Sequence, residues 1–152
     1  MKPENLLAEL GSHMGIPNLG FDEQGCARLV FDDQIEVNFE NDAANHRLQI
    51  YTTLGNVPAE NKEALYGALL EANLFGSGTA GATLAIDNLH GEIVLCHTFY
   101  GDDIPSATFL SLVESFVNTA EKWAQQIANN SFTSEQTSNS DGSFLDTSFL
   151  RA

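Results

Sequence analysis

From Phe109 to Ile127 the apolar residues recur at three- and four-residue intervals: Phe109, Leu112, Val113, Phe116, Val117, Ala120, Trp123, Ala124 and Ile127. That spacing comes back to one side of a helix at every turn, so the segment predicts a long amphipathic helix. Such a helix needs an apolar surface to lie on. Asp103 is placed to cap it, Pro105 suits its first turn, and Asn129-Asn130 ends it.

The surface it needs is written upstream in a period of two. Over Ile35–Glu40, Ile35, Val37 and Phe39 alternate with Glu36, Asn38 and Glu40. Ala27, Leu29 and Phe31 share a face in the strand before it, and Asp32-Asp33-Gln34 is short enough to turn a hairpin. Leu48, Ile50 and Thr52 alternate in a third strand, completing an antiparallel meander with one wet face. Two more strands are expected over Ala82–Asp87 and Glu92–Tyr100.

Two further helices complete the pattern. The first spans Pro3–Met14, with Leu6, Leu7, Leu10 and Met14 on one stripe, and Gly15, Pro17 and Gly20 break it. Its Gly11-Ser12-His13-Met14 resembles the scar of a cleaved tag, but the apolar spacing runs through it and marks it as native. The second is expected from Asn56-Val57-Pro58 to Asn73, where Leu65, Ala68, Leu69 and Ala72 form one face and Tyr66, Leu70 and Leu74 widen it. The order is helix, three strands, helix, two strands, helix. Residues 1–130 read as one domain and 131–152 as a disordered polar tail, rich in Ser, Thr, Asn and Gln. Inside the tail, Ser143-Phe144-Leu145 is echoed by Ser148-Phe149-Leu150, as a docking motif or by chance.

The charge excludes several classes of function. Twenty-one acidic residues face six basic ones, for a net charge of −15, and no Lys or Arg lies between Lys62 and Lys122. Nucleic acid and anionic lipid are both held largely by cations, so neither is an expected partner. No apolar run approaches membrane-spanning length, the N-terminus lacks the build of a secretion signal, and the chain is expected in the cytoplasm. Cys26 and Cys96 read as free thiols; spacing alone leaves a disulfide open, because pairing depends on geometry.

A search for chemistry finds little. Gly76-Ser77-Gly78-Thr79-Ala80-Gly81 fits G-x-G-x-x-G, but a helix precedes it and a strand follows. A phosphate there would meet no helix N-terminus. His13, His46, His90 and His97 show no metal-ligand spacing, and no metal or other cofactor is expected. The pairs Asp32-Asp33 and Asp102-Asp103 fall where a turn and a helix start explain them. The chain does not read as an enzyme.

Ala68-Leu69-Leu70-Glu71-Ala72-Asn73-Leu74-Phe75-Gly76 is followed in order by Gly81-Ala82-Thr83-Leu84-Ala85-Ile86-Asp87, Gly91-Glu92-Ile93-Val94-Leu95 and Phe116-Val117-Asn118-Thr119-Ala120-Glu121-Lys122-Trp123. Upstream lie Leu6-Leu7 to Leu10, Gly15-Ile16-Pro17 and Phe21-Asp22-Glu23-Gln24-Gly25-Cys26. This series resembles the class I type III secretion chaperones, the CesT/Tir chaperone family, over about residues 4–128. The resemblance implies an α+β fold in the order α-β-β-β-α-β-β-α, a twisted antiparallel sheet packed against helices, and a homodimer. It implies a chaperone that binds the N-terminal chaperone-binding segment of a secreted effector, keeps it soluble and partly unfolded, and assists its delivery to the secretion apparatus. The secretion ATPase or sorting machinery is a further candidate partner. A regulatory chaperone of the same fold, which binds a regulator of type III secretion genes, would use the same surface.

On this resemblance the second helix and last two strands lie near the two-fold axis, and Leu69, Leu70, Leu74, Phe75, Leu84, Ile86 and Leu95 are the expected dimer contacts. Leu70, Leu74 and Phe75 point the same way from the residues alone, since a monomer has no means of covering them. The edge of the meander is expected to accept an extended peptide, with its side chains in hollows lined by Leu7, Leu10, Met14, Leu29, Phe31, Val37 and Phe39. For each of these, ordinary core packing is the competing reading.

Overall fold

Among the described residues five antiparallel strands form one sheet in the order β1-β2-β3-β5-β4: β1 (Cys26–Phe31), β2 (Ile35–Asp42), β3 (Arg47–Asn56), β4 (Thr83–Asp87) and β5 (Glu92–Tyr100). Three helices join them, α1 (Pro3–Met14), α2 (Lys62–Asn73) and α3 (Ser106–Ala128). The computed structural model describes residues 1–101 and 103–132. The expected disordered tail therefore lies outside the described residues from 133 onward, as does Asp102.

The alternation decides which side of the sheet is dry. Leu29, Val37, Phe39, Leu48, Ile50, Leu84, Ile93, Leu95 and Phe99 are buried, while Arg28, Val30 and Glu36 stand exposed on the other face. α3 crosses the buried face against β2 and β3, and at 23 residues it is about 35 Å long. Phe109 sits at the centre, its ring 6.5 Å from Phe39 and 5.5 Å from Phe99, both tilted pairs. Leu6, Leu7 and Leu10 bring α1 onto the same core, and the Asn41 side-chain amide donates to Glu4 Oε1 at 3.0 Å to tie it to β2.

The α1 terminus explains the tag-like string. Gly15 is left-handed and the Ile16 N–H donates to the Gly11 carbonyl at 2.8 Å, a 6→1 closure of the helix end. A Cβ on Gly11 would stand 2.7 Å from Leu19 Cβ, so the returning chain requires glycine there. The β1–β2 turn closes through the Gln34 N–H onto the Phe31 carbonyl, with Asp32 and Asp33 both at positive φ. Asp tolerates this mirror-image turn, whose twist suits a hairpin.

Two expectations need correction. α2 begins at Lys62, not Asn56, because β3 runs on to Asn56 and the Val57 N–H donates to the Gly91 carbonyl at 2.8 Å; Pro58 keeps Val57 extended. Asp103 does not cap α3, whose N-cap residue is Pro105 with no side-chain cap. Asp103 instead accepts from the Met1 ammonium at 2.8 Å. At the far end the packed region continues to Phe132, which is buried and stacked on Trp123 with centroids 6.2 Å apart.

Candidate functional site

Three features could serve recognition: the outer edge of β1, a groove beside it, and an apolar patch on α2. Among the described residues β1 is an edge strand, with only β2 beside it. At its start the Asp22 N–H donates to the Cys26 carbonyl at 2.8 Å and the Cys26 N–H donates to Asp22 Oδ1 at 2.9 Å. The main-chain groups of Cys26 therefore point away from β2. Because successive residues of a strand direct these groups to opposite sides, Arg28 and Val30 also present theirs to the outer edge. Beyond the Asp22 turn, two residues remain for a further strand to pair with.

The groove lies where the C-terminal half of α1, the β1–β2 turn and α3 meet. It holds about 480 Å³, with Leu10, Met14, Phe31, Leu110, Val113 and Val117 as its apolar lining and His13, Asp32, Glu114 and Asn118 around it. Met14 is 37% exposed, and Leu10 is buried at the floor. Of the seven residues expected to line hollows for a partner, Leu10, Met14 and Phe31 come together here. Leu7, Leu29, Val37 and Phe39 are buried in the packed interior. Reasoning from sequence missed Val113 and Val117, because their stripe reads as core-facing along all of α3, and it missed Leu110 as well. Leu110 alone gave a signal, sitting one residue off the main stripe.

On the far side of the molecule Leu70, Leu74 and Phe75 are 71%, 60% and 97% exposed, with Tyr66 one turn earlier. Phe75 also holds φ at +53°, a conformation that costs a residue with a side chain. Beside them a hollow of about 380 Å³ is lined by Tyr66, Leu69, Leu70, Leu84 and Ile86. Of the seven expected dimer contacts, Leu70, Leu74 and Phe75 are open, Ile86 is half-buried, and Leu69, Leu84 and Leu95 are buried within the single chain.

The Gly76–Gly81 loop connects α2 to β4 and is held internally. The Gly78 N–H donates to the Ala72 carbonyl at 3.0 Å, Thr79 Oγ1 donates to the Ala82 carbonyl at 2.6 Å, and Trp123 Nε1 donates to the Gly78 carbonyl at 2.9 Å. No helix starts from it. Among the described residues no group of three His, Cys, Asp or Glu comes together that could hold a metal. Cys26 and Cys96 are free and lie on β1 and β5 with two strands between them, about 14 Å across the sheet, too far for a disulfide. Burial pushes the half-buried Cys96 thiol up, as it does Cys26, where Asp22 and Glu40 add to it; neither is an activated nucleophile. No helix among the described residues is long and apolar enough to cross a membrane.

Residues 5–124 match the family described as Tir chaperone protein (CesT). The chain belongs to this chaperone family. A protein of Chlamydia pneumoniae is 31% identical to this CesT-family chain over 126 residues, 82% of this chain and 95% of the relative. The transcriptional anti-antiactivator ExsC of Pseudomonas aeruginosa is 25% identical over 122 residues, 80% of this chain and 83% of the relative. In fold, the CesT-family chain is similar to the crystal structure of the ExsC–ExsE complex, with TM-score 0.67, 24% identity and coverage of 82% of this chain and 96% of that one. It is similar also to the HopA1–SchA chaperone–effector complex, with TM-score 0.66, 18% identity and coverage of 80% and 91%. The α+β architecture read from the sequence is that of this family.

Proposed function

We propose that the protein is a cytoplasmic, homodimeric type III secretion chaperone that holds an N-terminal segment of an effector in extended form. The observation that carries this is the open edge of β1 at Arg28 and Val30, directly beside the apolar groove. An added strand gains main-chain hydrogen bonds along the edge, and its inward side chains meet Leu10, Met14, Phe31, Leu110, Val113 and Val117. These six are the partner contacts we assign, in place of the seven expected from the sequence. Ordering a disordered segment costs free energy and calls for a large surface, which a second copy doubles. The α2 patch of Tyr66, Leu70, Leu74 and Phe75 is the assigned dimer contact, because it is apolar, exposed and away from the groove. Binding, with no catalytic step and no cofactor, is the whole activity.

The likeness to ExsC, an anti-antiactivator by name, supports a second reading in which the partner regulates secretion genes and is itself retained or released. Co-purification of the wild-type chain and a Met14→Asp variant from the native bacterium, with limited proteolysis of what is captured, tests both. An exported protein protected over an N-terminal stretch, held by two copies of this chain and lost with Met14→Asp, is the expected result. A regulator of transcription in its place selects the second reading. Capture that Met14→Asp leaves untouched removes the groove from the site.

A further inference from the structure

The groove between α1 and α3 is apolar inside and acidic at its rim, where Asp32 and Glu114 stand exposed. The chain itself carries a segment of matching chemistry. Arg151 is the single basic residue after Lys122, and it directly follows Phe149-Leu150 in the second of the two Ser-Phe-Leu units. The first unit is followed by Asp146, which the rim would repel. The two copies thus differ at the one position where the groove's charge discriminates.

Reach agrees with this. The tail leaves from Phe132, which stacks on Trp123, and Val117 and Val113 lie about 9–15 Å along α3 from Trp123, before the width of the helix is added. Residues 133–148 connect Phe132 to Phe149. A coil of sixteen residues has a root-mean-square reach of about 20–24 Å. A span matched to linker length gives a local concentration on the order of 1 mM, so a pair of apolar side chains with an intrinsic affinity of about 1 mM would fill the groove about half the time.

We propose that Thr147–Arg151 of the same chain docks into this groove, with Phe149 and Leu150 against Met14, Phe31 and Leu110 and with Arg151 beside Asp32 and Glu114. The tail then stands in for a partner when none is bound, covering apolar surface and lowering the apparent affinity of an incoming segment by about twofold at half occupancy. That consequence rests on the groove being the partner site. The docking itself does not, and its test involves no partner.

The full chain contains two methionines, Met1 and Met14, so methyl-labelled methionine gives a spectrum of two signals. The ring of a docked Phe149 displaces the Met14 methyl resonance. Phe149→Ser with Leu150→Ser should move the Met14 signal and leave Met1 in place. Phe144→Ser with Leu145→Ser should move neither, and Arg151→Glu should reproduce part of the Phe149 and Leu150 effect. A Met14 signal unchanged by the Phe149 and Leu150 substitutions overturns the proposal, as does a response to the Phe144 pair instead. A shift that grows with protein concentration overturns it too, since the occupant would then be the tail of a second copy. Loss of partner capture by Met14→Asp, tested separately, distinguishes failure of the docking from failure of the partner-site reading.

Discussion

The side-chain amide of Asn73 pairs with both main-chain groups of Leu84: its Nδ2 donates to the Leu84 carbonyl at 2.9 Å, and the Leu84 N–H donates to its Oδ1 at 2.8 Å. β4 is the second edge of the sheet, and at Leu84 a side chain from the last turn of α2 takes the place of a neighbouring strand. Among the described residues each edge is stoppered at one residue, β4 at Leu84 by Asn73 and β1 at Cys26 by Asp22, which leaves Ile86 on the first and Arg28 and Val30 on the second. The two edges are thus unequal. Asn73→Ala removes both bonds, and each is worth about 0.5–1.5 kcal/mol. The urea midpoint should fall accordingly; an unchanged midpoint would mean water replaces the amide at no loss.

Gly78 has no room for a methyl group. A Cβ there would stand 2.7 Å from Ala72 Cβ and 2.9 Å from Ala72 Cα, and neither can yield without moving α2. Gly78→Ala should cost about 1–3 kcal/mol, in the range of overpacked cores. It should also disturb the Trp123 hydrogen bond to the Gly78 carbonyl. The chain has one tryptophan, so a red-shifted emission reports the change directly.

Phe75 combines near-complete exposure with a left-handed backbone. For an isolated chain, Phe75→Gly would relieve about 1–2 kcal/mol of strain and raise stability. If the ring sits in a dimer interface, the same change should dissociate the dimer at micromolar concentration by light scattering. We expect dissociation. A variant that remains a dimer and melts higher would remove Phe75 from the interface.

Positions 10 and 14 separate the buried floor of the groove from its open lip. Leu10→Asp places a carboxylate in the buried floor and should unfold the protein, since an unpaired buried charge costs several kcal/mol. Met14→Asp, at a side chain already partly in water, should leave the circular dichroism spectrum unchanged and the stability within about 1 kcal/mol of wild type while abolishing capture of the partner. Equal loss of fold in both would place Met14 in the core.

Two histidines should give opposite pH dependences. His90 Nδ1 lies 2.7 Å from Asp87 Oδ2, and this bond holds His90 above its ordinary 6.5 and Asp87 below its ordinary 3.8. The His90 contribution is whole below pH 6.5 and lost as pH rises through its raised value. The Asp87 contribution is whole above pH 3.8 and lost as pH falls through its lowered value. His97 is held below 6.5 by burial, which the Gly81 carbonyl at 3.3 Å only partly offsets. Its contribution is present above pH 6.5 and lost as pH falls toward its lowered value. Urea midpoints across pH at low salt should show His90→Gln weakening the decline above pH 6.5 and His97→Gln weakening the decline below it.

Much of the fold was legible because burial here obeys simple periods. The strand Glu92–Tyr100 and the helix Pro3–Met14 have the expected bounds, since Gly and Pro mark their ends. The start of α2 was not legible, because Pro58 suits a helix start and an extended segment equally. The site was half legible. Periodicity identifies an apolar face but says nothing about which of its residues the other helices cover. Leu7 shares the α1 stripe with Met14 yet is buried where Met14 is partly open, and Val37 and Phe39, in the alternation of β2, are buried too. Leu70, Leu74 and Phe75 were legible as exposed, because Leu70 lies off the stripe of α2 and Leu74 and Phe75 follow its last residue.

The open edge of β1 offers only peptide groups, and peptide groups are the same in every protein. A surface that pairs through them is indifferent to spelling, so two ligands with no common residue along that stretch could be held equally well. In the proposed mode, discrimination is left to the few side chains that turn inward over the groove. A segment bound in this way is free to drift through evolution at every second position.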